Sequence, residues 1–330
     1  MKYRGYIGTY SQRGSRGVYL VEADAQTGAL TVLDAYPAEN PSYLAIHGGL
    51  LFAALETAEG GAASYRIAGD GTLTELSRRG TGGSSPCHVS VSPDGRQVFL
   101  ANYADGRLSV LPCDGGALGP ARVIRHAGHS VNAERQAGPH AHCVQPMPDG
   151  KRLCAVDLGL DRALFYDMAT MRVVGSFAVN AGSGPRHIVF SQKSPIAWLV
   201  CELSSEVYAF DRETGARVGV YSTLPAGFSG ESACAAIKLS HDEQWLYATN
   251  RGHDSIACFR IRPGGSLTAP VIVACGGKTP RDVALSPDGR FLYAANQDSD
   301  SVACFRLEGG LPADTGELLR IPAAVCVVFA

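Results

Sequence analysis

Short apolar segments separated by polar turns recur along the whole chain. The three most similar units read SPDGRQVFLANYADGRLSVL from Ser92, SHDEQWLYATNRGHDSIACFRI from Ser240 and SPDGRFLYAANQDSDSVACFRL from Ser286. Weaker copies begin at Met147 and Ser191, and a degenerate first copy begins at His47. Self-similarity at a nearly fixed period indicates a repeat architecture.

Each unit contains the same order of elements. An apolar strand leads into a PDG-type turn, a second apolar strand ends at a polar landmark residue, a third strand alternates apolar and polar residues, and a fourth follows another turn. The landmarks are separated by 46, 55, 45, 48 and 46 residues and are Glu56, Asn102, Asp157, Glu202, Asn250 and Asn296. Sets of four antiparallel strands at intervals of roughly 40 to 50 residues predict propeller blades.

The two ends of the chain complete one further unit between them. The last residues, IPAAVCVVFA, match only the first strand of a unit, whereas YRGYIGTYS, GVYLVEAD and ALTVLDAY at the beginning match the other three. Joining these strands removes exposed sheet edges, and no segment shows the roughly 3.6-residue periodicity of an amphipathic helix. We therefore predict an all-β fold, a single seven-bladed β-propeller domain over residues 1–330 whose last blade is closed by the N- and C-terminal strands.

Composition narrows the classes of partner. Apolar residues make up 45 % of the 330 residues, and the formal net charge is only −2. This balance is typical of a soluble globular protein and favours neither nucleic acid nor a membrane as a partner. The first residues, MKYRGYIGTYS, contain no apolar run of signal-peptide length, so we expect a cytoplasmic protein.

The ten cysteines form no CxxC pair, and several of them lie within apolar strand patterns, among them Cys154, Cys201, Cys258 and Cys304. We interpret them as small buried thiols in a reducing compartment, and their spacing does not suggest a zinc site. We expect the protein to need neither a metal nor a cofactor.

Candidate site residues follow the prolines that precede most of the first strands. The first strand of a propeller blade is the innermost, so residues at its start converge on one mouth of the central channel although they are far apart in sequence. In this chain they include His140, His142, Arg186, His187 and Arg281. The ends of the second strands, including Glu202 and Arg251, are expected at the same rim.

Several of these residues are not required by the repeat. A structural requirement would place the same residue in every blade, but the blades differ at His140, His142, Arg186, Glu202 and Arg251. An ion pair between Arg186 and Glu202 at an exposed rim would contribute only about 0–1 kcal/mol. Guanidinium groups directed into one mouth repel each other unless an anion joins them, which predicts a ligand with a carboxylate or phosphate.

The PDG aspartates and the landmark asparagines have a different expected role. Asp and Asn side chains readily accept or donate hydrogen bonds to nearby backbone in turns. We expect the aspartates to form turns and Asn102, Asn250 and Asn296 to cap local loops.

The combination of AGPHAHCVQPMPDG, GSGPRHIVFS, CELSSEVYAF and YATNRGHDSIACF resembles the lactonase-type seven-bladed propellers, which include propeller-type 6-phosphogluconolactonases and fungal carboxy-muconate cyclases. The resemblance spans nearly the whole chain. It implies an active site of a histidine, an arginine, a glutamate and a second arginine, here His142 or His140, then Arg186, Glu202 and Arg251. The PHAH segment carries two extra residues before its PDG turn, so both histidines remain candidates.

The resemblance implies hydrolysis of a sugar-acid lactone, first of all 6-phosphogluconolactone to 6-phosphogluconate in the pentose phosphate pathway. Nearby arginines lower the basicity of Glu202, which favours a PHAH histidine as the base and Glu202 as its orienting group. Arg186 would donate to the carbonyl oxygen, and Arg251 and Arg281 would hold the substrate's phosphate or carboxylate. His187 is assigned to substrate binding.

Three other functions fit the same residues. A carboxy-muconate-type cyclase would use the arginines on two carboxylates, a lactonase could act on an unphosphorylated sugar acid, and a non-enzymatic propeller could bind protein through its rim. For the enzyme we expect a small anionic lactone as the partner and a monomer or weak homodimer.

Overall fold

The computed structural model describes all residues from Met1 to Ala330 as a ring of seven antiparallel sheets. We number the sheets as blades 1 to 7, starting from Pro41. The strands of the N-terminal segment and of blades 1 and 2 are β1 Lys2–Thr9, β2 Val18–Asp24, β3 Leu30–Tyr36, β4 Pro41–His47, β5 Leu50–Leu55, β6 Gly61–Ile67, β7 Leu73–Gly80, β8 Pro86–Val91, β9 Gln97–Asn102, β10 Arg107–Asp114, β11 Ala117–Leu118 and β12 Arg122–Arg125.

The remaining strands form blades 3 to 6 and close blade 7. They are β13 Ala141–Pro146, β14 Arg152–Asp157, β15 Arg162–Asp167, β16 Val173–Ala178, β17 Pro185–Phe190, β18 Ile196–Cys201, β19 Glu206–Asp211, β20 Arg217–Ser222, β21 Ala233–Leu239, β22 Trp245–Arg251, β23 Ser255–Arg260, β24 Val271–Ala274, β25 Pro280–Leu285, β26 Phe291–Asn296, β27 Ser301–Glu308, β28 Leu311–Arg320 and β29 Ala324–Phe329. The helical segments are two short 3-10 turns, Pro263–Gly265 and Gln297–Ser299, and no helix is long and apolar enough to cross a membrane.

Blade 7 joins the two ends of the chain. Its strand order is β29-β1-β2-β3, and β29 pairs antiparallel with β1 through contacts such as Ile7 opposite Val327. The C-terminal strand is therefore the innermost strand of this blade, and the N-terminal segment supplies the outer three. This confirms the predicted all-β propeller and its mode of closure.

The core lies between neighbouring blades. All six residues of β18 are buried because both faces of this strand are covered. Ile196, Trp198 and Val200 pack toward blade 5, whereas the alternate residues Ala197, Leu199 and Cys201 pack toward blade 3. Burial of each large apolar side chain contributes about 1.5–3 kcal/mol. All ten cysteines are buried free thiols, as predicted.

The PDG segments form tight turns at the end of the blades away from the candidate site. Ser92 Oγ donates to Asp94 Oδ1 at 2.6 Å, the backbone N–H of Arg96 donates to the same oxygen, and Gly95 adopts a positive φ of 72°. Asp149 and Asp288 accept backbone hydrogen bonds in the same way. The prediction that these aspartates serve turns is confirmed.

Asn102 caps a local loop, as predicted, because its Nδ2 donates to the carbonyl oxygen of Arg107 at 3.0 Å. The prediction was wrong for Asn250 and Asn296, which donate to the carbonyl oxygens of Thr223 and Cys275 just after the last strand of the preceding blade and so link neighbouring blades. All three asparagines are fully buried.

The assignment of Glu56 and Glu202 to the landmark position was wrong by one residue. Register places Leu55 opposite Pro41 and Cys201 opposite Pro185, just as Asn102 lies opposite Pro86. Both glutamates therefore lie one position further along. Successive residues of an extended chain point to opposite sides, so this offset directs the glutamates away from the blade interior.

Each innermost strand carries a register shift near its start, and this β-bulge positions the site. In six blades one unpaired residue lies between two paired ones, as Arg186 does between Pro185 and His187, and in blade 5 both Ala235 and Ala236 are unpaired. A bulge bends the strand and changes the direction of a side chain. The equivalent bulge residues are Ser42, Cys87, His142, Arg186, Ala235, Arg281 and Val325.

Candidate active site

Two rings of residues surround one mouth of the central channel. The first consists of the bulge residues, and six of these seven line a narrow cavity of about 10 Å³, which is room for a single water molecule or hydroxyl group. The second consists of the residues that directly follow the landmark positions in the corrected register. Most of them donate a backbone N–H to a carbonyl oxygen just before the inner strand. Its members are Tyr10, Glu56, Tyr103, Leu158, Glu202, Arg251 and Gln297.

Glu202 joins three arginines. Its Oε2 accepts from Arg186 Nε at 3.0 Å and lies 2.9 Å from Arg251 NH2, while its Oε1 accepts from Arg135 NH2 at 2.7 Å. Arg186 and Glu202 are almost completely buried. The two residues that the sequence placed at the same rim are therefore in direct contact.

Electrostatics keeps this cluster ionised. Burial would raise the pKa of Glu202, but the guanidinium groups of Arg251 and Arg186 outweigh it and hold the pKa well below its usual range. Burial lowers the pKa of Arg251 to about 10, although Glu202 opposes this shift. The anion that joins the arginines is thus a carboxylate of the protein, so their proximity alone does not require an anionic ligand.

The arginine cluster still has capacity for an anion. NH2 of Arg186, NH1 of Arg251 and both Nε and NH1 of Arg135 make no hydrogen bond within the protein. One carboxylate faces three guanidinium groups here, so the cluster carries excess positive charge. Unused guanidinium donors around a positive mouth are suited to a carboxylate, a phosphate or a developing oxyanion.

The structure separates the two PHAH histidines. His142 is the bulge residue of blade 3, equivalent to Arg186 and Arg281, and lines the cavity. Its Nδ1 lies 3.6 Å from Cys87 Sγ, while its Nε2 makes no hydrogen bond within the protein. Burial, followed by the charge of Arg186, lowers the pKa of His142 well below its usual value, so this imidazole is neutral near pH 7.

His140 precedes the strand and lies nearer to solvent. Its ring stacks on Tyr103 with centroids 4.7 Å apart, and its Nδ1 lies 2.8 Å from the carbonyl oxygen of Tyr103. A carbonyl oxygen only accepts, so Nδ1 must carry the proton. In the neutral imidazole Nε2 then has a free lone pair. Neither His140 nor His142 hydrogen-bonds to Glu202, so the expected orienting contact from this glutamate is not formed.

His187 lies deeper, at the wall of the cavity. Its Nε2 lies 3.3 Å from Arg186 NH1, which donates, and its ring meets His142 and His88 edge to face. Burial and the charge of Arg186 lower its pKa well below the usual range. His187 thus contacts Arg186 and also borders the space where a ligand would sit.

Arg281 belongs to a second polar group at the mouth. Its NH2 donates to Tyr10 OH at 2.7 Å, and Tyr10 OH donates to Glu56 Oε2 at 2.9 Å. The guanidinium group also lies over the Tyr10 ring, 5.2 Å from the centroid. Arg281 is therefore in the predicted mouth. It hydrogen-bonds to Tyr10 and does not belong to the group of arginines around Glu202.

Arg135, Tyr10 and Tyr103 were missed by sequence reasoning. Arg135 lies on the segment between β12 and β13, outside the strand pattern, and reaches Glu202 of another blade. That segment is longer than the other connections between blades, which was the one available signal. Tyr10 and Tyr103 occupy the ring that became apparent only when the landmark register was corrected.

No group of three or more His, Cys, Asp or Glu side chains is arranged so that it could hold a metal ion. The donors that converge on the mouth are guanidinium, imidazole, hydroxyl and carboxylate groups. The arrangement can bind an anion, position a neutral imidazole and stabilise negative charge.

Comparison with known proteins agrees with this geometry. The family model described as lactonase, seven-bladed β-propeller, matches residues 4–329. The chain belongs to this lactonase family. A 6-phosphogluconolactonase of Bacillus subtilis is 37 % identical over 295 residues, which cover 85 % of this chain and 84 % of the relative.

Solved structures of similar proteins have the same architecture. A periplasmic gluconolactonase of Pseudomonas aeruginosa superposes with a TM-score of 0.94 at 31 % identity and covers 100 % of this chain and 99 % of its own. A protein from Lactobacillus plantarum gives a TM-score of 0.92 at 33 % identity, with 100 % of both chains covered. The family and fold are therefore shown, while the named substrates are those of the relatives.

Proposed function

We propose that this member of the lactonase family hydrolyses a sugar-acid δ-lactone and that 6-phosphoglucono-δ-lactone is its substrate. The observation that carries the proposal is the set of unused arginine donors around the buried Glu202, beside an imidazole with a free ring nitrogen. The name of the Bacillus subtilis relative supports the phosphorylated substrate.

The base in this proposal is His140. Its Nδ1 is committed to the Tyr103 carbonyl oxygen, which leaves Nε2 to take a proton from water. Glu202 is unsuitable as the base because both of its oxygens accept from guanidinium groups. His142 is a weaker candidate because its lowered pKa makes it a poor proton acceptor.

Hydrolysis then proceeds by water attack on the lactone carbonyl carbon. The carbonyl oxygen gains negative charge, and the unused NH2 of Arg186 is the donor assigned to it. Collapse of the tetrahedral species breaks the bond to the ring oxygen, which takes a proton as it becomes the hydroxyl of the open-chain acid. A base contributes about 10²–10⁴ and an oxyanion donor about 10²–10³ in rate.

The remaining arginines are assigned to the substrate's phosphate. Arg251 and Arg281 lie on neighbouring blades of the same mouth, and each retains a nitrogen without a hydrogen bond in the protein. Glu202 acts as a positioning residue, because it holds the three arginines of its cluster in one orientation. His187, through its contact with Arg186, supports the same wall of the cavity.

The test is pH-stat hydrolysis of freshly prepared 6-phosphoglucono-δ-lactone beside glucono-δ-lactone, each corrected for its spontaneous rate. We expect rapid turnover of the phosphorylated lactone by the wild type and a loss of about 10²-fold or more in Arg186→Ala. Arg96→Ala is the matched control, because Arg96 is an exposed arginine of a PDG turn at the far end of the propeller.

The two substrates separate the possible outcomes. Faster turnover of the unphosphorylated lactone would assign the activity to a gluconolactonase, as the Pseudomonas aeruginosa neighbour is named. No acceleration of either lactone would overturn the proposal and direct attention to a cyclase or a binding scaffold.

A further inference from the structure

We propose that Ser42 and Glu56 of blade 1 form a hydroxyl-binding subsite, which selects a polyhydroxylated lactone over one without hydroxyl groups. This inference rests on the proposed lactonase function and adds a specificity determinant to it. Both residues line the cavity at the mouth, and blade 1 lies across the ring from Arg186 and Glu202 of blade 4.

Ser42 supplies the first observation. It is the bulge residue of β4, is only 5 % exposed, and its Oγ is buried without a hydrogen-bond partner. An unsatisfied buried hydroxyl costs about 1–3 kcal/mol, so such groups normally have a partner. Because this hydroxyl borders the cavity, a polar group of a bound molecule can supply that partner.

Glu56 supplies the second observation. Its Oε2 accepts from Tyr10 OH at 2.9 Å, but its Oε1 makes no hydrogen bond within the protein. Tyr10 in turn accepts from Arg281, so the direction of its hydroxyl proton toward Glu56 is fixed. One oxygen of Glu56 is therefore held in place and the other is left to accept from a ligand.

Charge defines which ligand group suits this wall. An anionic group is disfavoured close to Glu56 by its carboxylate, and a cation is disfavoured by Arg281 and Arg186, which line the same cavity. A neutral hydroxyl group meets both constraints because it donates to a carboxylate and accepts from a serine hydroxyl or a guanidinium group. The phosphate and the lactone carbonyl would then face the arginines, and the ring hydroxyls would face blade 1.

The expected effects are measured as the ratio of the kcat/KM values of two lactone substrates. Glucono-δ-lactone carries ring hydroxyls, whereas δ-valerolactone has the same ring size and none. A hydrogen bond to a charged group is worth about 10- to 100-fold in binding, and one between neutral groups about 2- to 10-fold. We expect Glu56→Gln to lower the kcat/KM ratio of glucono-δ-lactone to δ-valerolactone by about 10-fold or more and Ser42→Ala by about 3-fold.

Ser42→Ala is the less disruptive variant, because the Ser42 hydroxyl makes no hydrogen bond within the protein and its removal therefore breaks none. Its matched control is Ser90→Ala, since Ser90 is a half-buried inner-strand serine whose Oγ is buried without a partner and which does not line the cavity. Ser90→Ala should leave the substrate ratio at the wild-type value. An unchanged ratio in both Ser42→Ala and Glu56→Gln would overturn the subsite.

A binding measurement separates this inference from the proposed hydrolysis. The probe is 1,5-anhydroglucitol, a neutral ring polyol without a lactone carbonyl, titrated calorimetrically into wild-type protein and the three variants. Binding that is weakened by Ser42→Ala and Glu56→Gln supports the subsite even if no lactone is hydrolysed. Hydrolysis without a change in substrate ratio or polyol binding in these variants would retain the lactonase and reject the subsite.

Discussion

Arg186 Nε lies 3.0 Å from Glu202 Oε2, and both side chains are almost completely removed from solvent. One is the bulge residue of an inner strand, and the other follows the adjacent strand of the same blade. A buried charge is stable only when paired and hydrogen-bonded. The pair therefore links the stability of the mouth to the arrangement of its arginines.

Glu202→Gln should reduce the free energy of unfolding at pH 7 by about 3–5 kcal/mol, because it leaves buried guanidinium groups without their counter-charge. Urea denaturation measures the loss. Glu75→Gln is the control, since Glu75 forms an exposed pair with Arg78 and should cost at most about 1 kcal/mol. Equal effects of the two substitutions would show that the cluster does not stabilise the fold.

His140→Ala should lower kcat for the lactone by about 10²–10⁴-fold, since it removes the proposed general base. Steady-state kinetics in the pH-stat assay measures kcat and KM separately. His129→Ala serves as the control because His129 is an exposed histidine of the same connecting segment. If His140→Ala retains wild-type kcat while His142→Ala loses it, the role of base belongs to His142.

Acid should destabilise the protein through its buried histidines. Burial, followed by the charges of Lys238 and Arg186, lowers the pKa of His88 to about 3, against about 6.5 in an unfolded chain. Between these values the unfolded state binds the extra proton, so stability is complete above about pH 6.5 and decreases as the pH falls. The loss approaches about 1.4 kcal/mol per pH unit for such a histidine.

His88→Phe keeps an aromatic ring at this position and removes the titrating group. The decrease in unfolding free energy between pH 7 and pH 5, measured by urea denaturation, should be smaller in the variant by about 1–2 kcal/mol. His142 and His187 have pKa values lowered in the same direction, so part of the acid sensitivity remains. The same pH dependence in wild type and variant would contradict the assignment.

Arg135→Ala should alter substrate binding more than stability. Its side chain is 42 % exposed, so its pair with Glu202 is worth at most about 1 kcal/mol. Its Nε and NH1 are free at the mouth, and we expect KM for 6-phosphoglucono-δ-lactone to rise about 10-fold. Thermal denaturation should show a small shift. A large fall in melting temperature with unchanged KM would assign Arg135 a structural role instead.

The architecture follows from the repeat pattern of the amino-acid sequence. Six repeats and the complementary ends of the chain predicted seven blades and their closure, because each blade is built from local hairpins whose strand and turn residues lie close together in sequence. The same regularity placed Arg186, Arg251 and Arg281 at one mouth, since equivalent positions of a repeat occupy equivalent places in the ring. The turn role of Asp94 and the loop-capping role of Asn102 also followed from local chemistry.

The organisation of the mouth depends on contacts that form only in the folded ring. The β-bulges distinguish His142 from His140, and the ladder register separates Glu202 from the landmark asparagines. Arg135 reaches Glu202 across 67 positions of sequence, from a connecting segment without a repeat pattern. Bulges, register and contacts between blades depend on closure of the whole ring, so hydrophobic periodicity predicts the blades but not the partners of side chains that meet at the channel.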